Sequence, residues 1–226
     1  VRALKYHGGV LKTELSRENL EALERGLPNL LQHVDNIKNV FGVPCVVAIN
    51  AFPTDTEAEL ALVKEKCREL GVNAELSEVW AKGGAGGVAL ANEVVRLCGQ
   101  PNHFQFAYAD ELSIQEKLNA IVQKIYHGDR AVLTPNAQKQ AEQLTALGFG
   151  GLPICMAKTQ YSFSDDPALL GAPKGFDVTV RNLKVCAGAG FLVALTGDIM
   201  TMPGLPKVPA AERIDVDENG VISGLF

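Results

Sequence analysis

Through the first two-thirds of the chain, apolar runs too short to be helices alternate with stretches whose apolar residues step by three or four. No other feature restricts the fold as much. A run such as Pro44-Cys45-Val46-Val47-Ala48-Ile49-Asn50 reads as a strand apolar on both faces, which requires covering layers on either side, as central parallel strands have. The intervening patterns supply those layers. Ser16 is placed to cap a helix carrying Leu20, Leu23, Leu27, Leu30, Val34 and Ile37, with Pro28 expected to bend or split it. Thr54-x-x-Glu57 matches a capping box before Leu60, Val63, Cys67 and Leu70, and Gly71 closes that helix. A strand over Ala74-Glu75-Leu76-Ser77 leads to Trp80, and Gly83 to Gly87 open a helix with Ala91, Val94, Val95 and Cys98. Phe104-Gln105-Phe106 is a further predicted strand. Ser113-x-x-Glu116 and Thr134-Pro135 begin two more helices, ended at Gly128 and Gly148.

After Gly148 helical periodicity stops. Pro153-Ile154-Cys155-Met156-Ala157, the alternation through Val178, Val180, Leu183 and Val185, and Phe191 to Leu195 are strands among frequent Pro and Gly. The predicted class is α/β: a mostly parallel sheet flanked by helices, then a smaller strand- and loop-rich region. The expected domains are residues 1–148 and 149–226. With 226 residues the chain can bury a real core without disulfides. Its net charge of −5 disfavours a general nucleic-acid binder, and no run of 18 apolar residues spans a membrane. The five cysteines (45, 67, 98, 155 and 186) contain no CxxC pair and read as buried, reduced thiols, so a cytoplasmic location is expected. The four histidines share no metal-ligand spacing, and no metal site is assigned.

Ligands of open α/β sheets bind beyond the carboxyl ends of the strands. Two such ends are Asn50-Ala51-Phe52-Pro53-Thr54-Asp55 and Val79-Trp80-Ala81-Lys82-Gly83-Gly84. If their strands are neighbours, Phe52 and Trp80 rise from one edge, where they either close the top of the core or clamp a flat ring. The glycines at 83, 84, 86 and 87, with Lys82 beside them, form either an anion-binding turn or a close-packing one. The loop from Lys158 to Asp166 could line a site or be ordinary surface. Met200-Thr201-Met202-Pro203-Gly204-Leu205-Pro206 is a stiff loop suited to packing or subunit contact. No GxxxxGK[ST] phosphate loop, GxSxG or HExxH occurs, and no catalytic residue is assigned.

Val46-Val47-Ala48-Ile49-Asn50-Ala51-Phe52-Pro53-Thr54-Asp55-Thr56-Glu57, Trp80-Ala81-Lys82-Gly83-Gly84, Met156-Ala157-Lys158-Thr159-Gln160-Tyr161-Ser162-Phe163-Ser164 and Thr201-Met202-Pro203-Gly204-Leu205-Pro206-Lys207 closely resemble formate–tetrahydrofolate ligases. The resemblance runs from Val1-Arg2-Ala3-Leu4-Lys5 to Gly224-Leu225-Phe226, and family members are more than twice as long. It implies the C-terminal part of an ATP-dependent ligase, lacking the P-loop region, that makes 10-formyltetrahydrofolate through formyl phosphate. It further implies ATP with Mg2+ as co-substrate, tetrahydrofolate and formate as substrates, and a homo-oligomer. Phe52 and Trp80 match the aromatic pair that sandwiches the pterin, and Leu76 matches a position lining that pocket. Asn50, Pro53, Thr54, Asp55 and Lys82 fall on the nucleotide side. The alternative is a folate-binding or oligomerisation module without turnover when isolated.

Overall fold

The computed structural model describes residues 1–197, 199 and 207–224; the stiff loop expected over 200–206 lies outside them. Short helix α1 (Arg2–His7) packs against α2 (Leu20–Asp35). Their backbones meet at glycines: a Cβ on Gly8 would sit 1.8 Å from the Ala22 carbonyl oxygen, and one on Gly26 1.8 Å from that of Leu4. No other residue allows the two helices to approach so closely. Asn19, not Ser16, caps α2, its side chain accepting from the Ala22 N–H. Pro28 stays within one continuous helix, which ends in a π-helical turn over Asn36–Val40.

Strand β1 (Val47–Asn50) pairs in parallel with β2 (Ala74–Ser77), in register Val47 to Ala74 through Asn50 to Ser77. Helix α3 (Glu57–Glu69) connects them. Its capping box is formed by Thr56 and Glu59, two residues beyond the predicted pair, because the 52–55 turn holds Thr54 outside the helix. Only Ile49 of β1 is buried, while Ala48 and Asn50 are exposed, so the strand is apolar on one face rather than covered on both. After β2 come the single-turn helix α4 (Val79–Lys82), a 3₁₀ segment over Gly83–Gly87 and helix α5 (Val88–Cys98). Phe104-Gln105-Phe106 is not a strand; His103 and Gln105 donate to the carbonyls of Gly42 and Phe41 in an irregular segment.

Helix α6 (Ile114–Ile121) starts at the predicted Ser113–Glu116 capping box and runs into a π-helical turn over Val122–Tyr126. A second sheet has the order β3 (Arg130–Leu133), β5 (Asp177–Cys186), β6 (Phe191–Thr196), β4 (Ile154–Ala157). Its outer pairs are parallel and its central β5–β6 pair is antiparallel. Helix α7 (Pro135–Ala146) covers it, and the expected boundary at 148/149 runs between β3–α7 and the other three strands of this same sheet. A two-residue ribbon, β7 (Asp215–Val216) with β8 (Ile222–Ser223), lies near the end.

Each sheet has its own apolar cluster. One gathers Leu4, Leu23, Leu27, Ile49, Val63, Cys67 and Ala74; the other gathers Leu118, Val122, Val178, Val180, Leu183, Leu192 and Ala194 with their neighbours. The seam between them is polar and aromatic. Gln32 and Asn36 donate to the Ile125 carbonyl, Asn29 donates to that of Gly171, and His33 stacks against Phe163 at 4.6 Å. All five cysteines are free thiols; Cys98 and Cys155 are exposed rather than buried. Among the described residues no helix is long and apolar enough to cross a membrane.

Candidate functional site

Because β1 and β2 are adjacent and parallel, the loops after them leave from the same edge of the sheet. The 52–55 turn is closed twice: the Asp55 N–H donates to the Phe52 carbonyl and the Phe52 N–H donates to Asp55 Oδ2, both at 2.9 Å. Asp55 thereby fixes the backbone from which the Phe52 side chain springs. Its other oxygen, Oδ1, is buried and accepts no hydrogen bond among the described residues.

Trp80 stands in α4, and its indole Nε1–H donates to the Ala51 carbonyl at 2.8 Å. That bond ties the loop after β2 to the loop after β1. It leaves the indole 59% exposed, so Trp80 does not close the core. Phe52 is half-buried, and the guanidinium of Arg2 lies over its ring, 3.6 Å from the centroid. Phe52 and Trp80 do not pair ring to ring among the aromatic contacts of the described residues. Leu76, in β2 four residues before Trp80, packs against the first apolar cluster. Phe52, Asn50 and Arg2 line a cavity of about 380 Å³ with Val1, Leu4 and Ile49; Trp80 does not line it.

The remaining candidates are less convergent. Pro53 and Thr54 are exposed on the turn. Lys82 Nζ is paired with Glu78 Oε2 at 2.7 Å, one helical turn back, so its charge is already compensated. Within the glycine segment Gly86 serves close packing: a Cβ there would lie 2.5 Å from the Glu78 carbonyl oxygen, and the Glu78 N–H donates to the Gly86 carbonyl, whereas a Cβ on Gly83 or Gly84 would meet nothing within 4 Å. Gly83 adopts φ +58°, ψ −145°, a conformation open to glycine alone.

In the loop after β4, Lys158 Nζ donates to the carbonyls of Thr159, Ser162 and Ser164. Burial pushes its ammonium down to about 8, against the opposing field of Asp165. It organises its own loop. A larger cavity of about 570 Å³, between Phe41, Phe106, Tyr126 and Met156, contains none of the predicted site residues. Burial raises the Tyr126 phenol there to about 12. No group of three or more His, Cys, Asp or Glu side chains converges as for a metal among the described residues, so no side chain is assigned to Mg2+.

Sequence reasoning missed Arg2, because fifty residues separate it from Phe52 and no local pattern connects them. It also missed the orphaned oxygen of Asp55. A comparison with protein families matches the chain over residues 1–226 to the family described as formate–tetrahydrofolate ligase.

Proposed function

Since the chain belongs to the formate–tetrahydrofolate ligase family, we propose that its first sheet edge supplies the pterin-binding slot of a reaction that joins formate to tetrahydrofolate. In the reaction that membership suggests, formate takes the terminal phosphoryl group of ATP, releasing ADP and giving formyl phosphate. N10 of tetrahydrofolate then attacks the formyl carbon, expelling phosphate and forming 10-formyltetrahydrofolate. The residues here bear on the second half. Phe52 and Trp80 hold the pterin, Leu76 forms the floor, and the slot thereby aims N10. Positioning of this kind can lower a barrier by several kcal/mol.

The observation that carries this reading is the Trp80-to-Ala51 hydrogen bond, which fixes the two aromatic-bearing loops at one sheet edge while leaving the indole exposed to a ligand. We place Asn50, Pro53, Thr54 and Asp55 toward the nucleotide; Lys82 could join them only by breaking its pair with Glu78. No phosphate-cradling loop lies within these residues, so phosphoryl transfer is assigned to none of them, and the 226-residue chain alone is expected to release no ADP in the presence of formate.

The test is Trp80→Ala in an enzyme that turns over. Tetrahydrofolate affinity should fall by about 1–3 kcal/mol, roughly 5- to 150-fold, with ATP affinity almost unchanged. Equal losses for both ligands would overturn the assignment.

A further inference from the structure

The ring of Phe52 has two faces, and one is occupied. Arg2 lays its guanidinium over that face at 3.6 Å from the centroid. This placement is built by the fold. Helix α1 is pressed onto α2 where Gly8 and Gly26 admit backbone contact, and Lys5, one turn from Arg2, is locked to Glu59 of α3 at 2.8 Å. With α1 held on two sides, the Arg2 side chain projects over the Asn50–Asp55 loop and lines the cavity beside Phe52. Among the described residues no carboxylate lies within ion-pair distance of Arg2, so the Phe52 ring is the partner its guanidinium has found.

We propose that Arg2 is a positioning residue for folate: it clamps the back of the Phe52 ring so that a single, pre-oriented face is offered to the pterin. The inference rests on the slot proposed above and adds to it a residue from a different element. Two physical effects act together. A ring held by a cation over one face no longer rotates freely, so less side-chain freedom is lost when a ligand stacks on the other face. The guanidinium is planar and stacks, so it fills the back of the ring and keeps a second flat group from binding there. Asp55 restrains the same residue from the backbone side. Phe52 is therefore held at both ends before any ligand arrives.

The chain has one tryptophan, Trp80, so its emission reports directly on the slot. We would titrate the 226-residue chain with tetrahydrofolate, following Trp80 fluorescence, for the wild type, Arg2→Met, Phe52→Leu and the double variant. Arg2→Met should weaken binding roughly three- to tenfold, the scale of a partly desolvated cation–π contact, while the ligand-free chain still melts cooperatively, its melting temperature lowered by no more than a few degrees, as loss of that one contact requires. In the Phe52→Leu background the same change should have no further effect, because its target ring is gone. Arg2→Met binding within twofold of wild type, or equal losses in both backgrounds, would each overturn the role of Arg2. Trp80 emission that does not respond to tetrahydrofolate in the wild type would instead remove the slot itself.

Discussion

At the scale of single residues, the most consequential group outside the site is Glu59. Its side chain and that of Lys5 are fully buried and 2.8 Å apart, and Glu59 also accepts from the backbone N–H groups of Asn19 and Thr56. Burial alone would raise its carboxyl. The hydrogen bonds from Lys5, Asn19 and Thr56 outweigh burial and hold it below the ordinary carboxylate value. A depressed acid contributes stability that is present above its unfolded value of 4.5 and is lost as pH falls through the folded one. The urea midpoint of the wild type should therefore be flat near neutrality relative to Glu59→Gln, and the difference should shrink below about pH 4.5. Lys5→Met leaves the carboxylate buried without its cation and should cost about 3–5 kcal/mol, whereas Lys5→Met with Glu59→Met should cost much less. A double variant as unstable as the single one would contradict the pairing.

At the scale of elements, the loop after β4 is organised by one amine. Lys158 gathers three carbonyls of residues 159–164, and Ser162 and Ser164 are buried beneath it. Without that amine, three carbonyls lose a donor at once. Lys158→Met should accelerate amide exchange across 158–166 while leaving exchange in α6 and β5 unchanged. Uniform acceleration through the second sheet would instead mean that the loop supports the whole core. The capping boxes show how legible such elements are. Ser113–Glu116 is read directly from the sequence, because nothing else competes for the start of α6. Thr54–Glu57 fits the same pattern two residues early. It fails because Asp55 is engaged in the Phe52 turn, and Glu59 carries both the box and the Lys5 pair.

At the scale of the molecule, two apolar clusters are joined by side-chain-to-carbonyl bonds rather than by shared core. Gln32 and Asn36 bridge the π-helical end of α2 to the π-helical turn after α6. A seam of that kind contributes little once its donors are removed. Gln32→Ala with Asn36→Ala should split a single urea transition into two, the second sheet unfolding at its original midpoint. One sharp transition at a lower midpoint would show that the clusters fold as a unit.

The sequence by itself determined the class and the family, because apolar period, capping residues and long local motifs are properties of contiguous residues; the neighbouring of β1 and β2 was a condition it could only pose. It placed Phe52 and Trp80 just after two strands, since a strand's end can be read from its own composition, though Trp80 stands in the single-turn helix α4 rather than in a loop. It did not reveal that β1 is bare on one face, that Phe104-Gln105-Phe106 pairs irregularly, or that β3 shares a sheet with strands far along the chain. Only the tertiary structure decided those, along with the guanidinium over Phe52, the Trp80-to-Ala51 bond and the unsatisfied Asp55 oxygen. The physical reason is separation. Most depend on groups tens of residues apart, which no local pattern encodes; the guanidinium over Phe52, for one, is brought there by helix packing at Gly8 and Gly26 and by a buried ion pair.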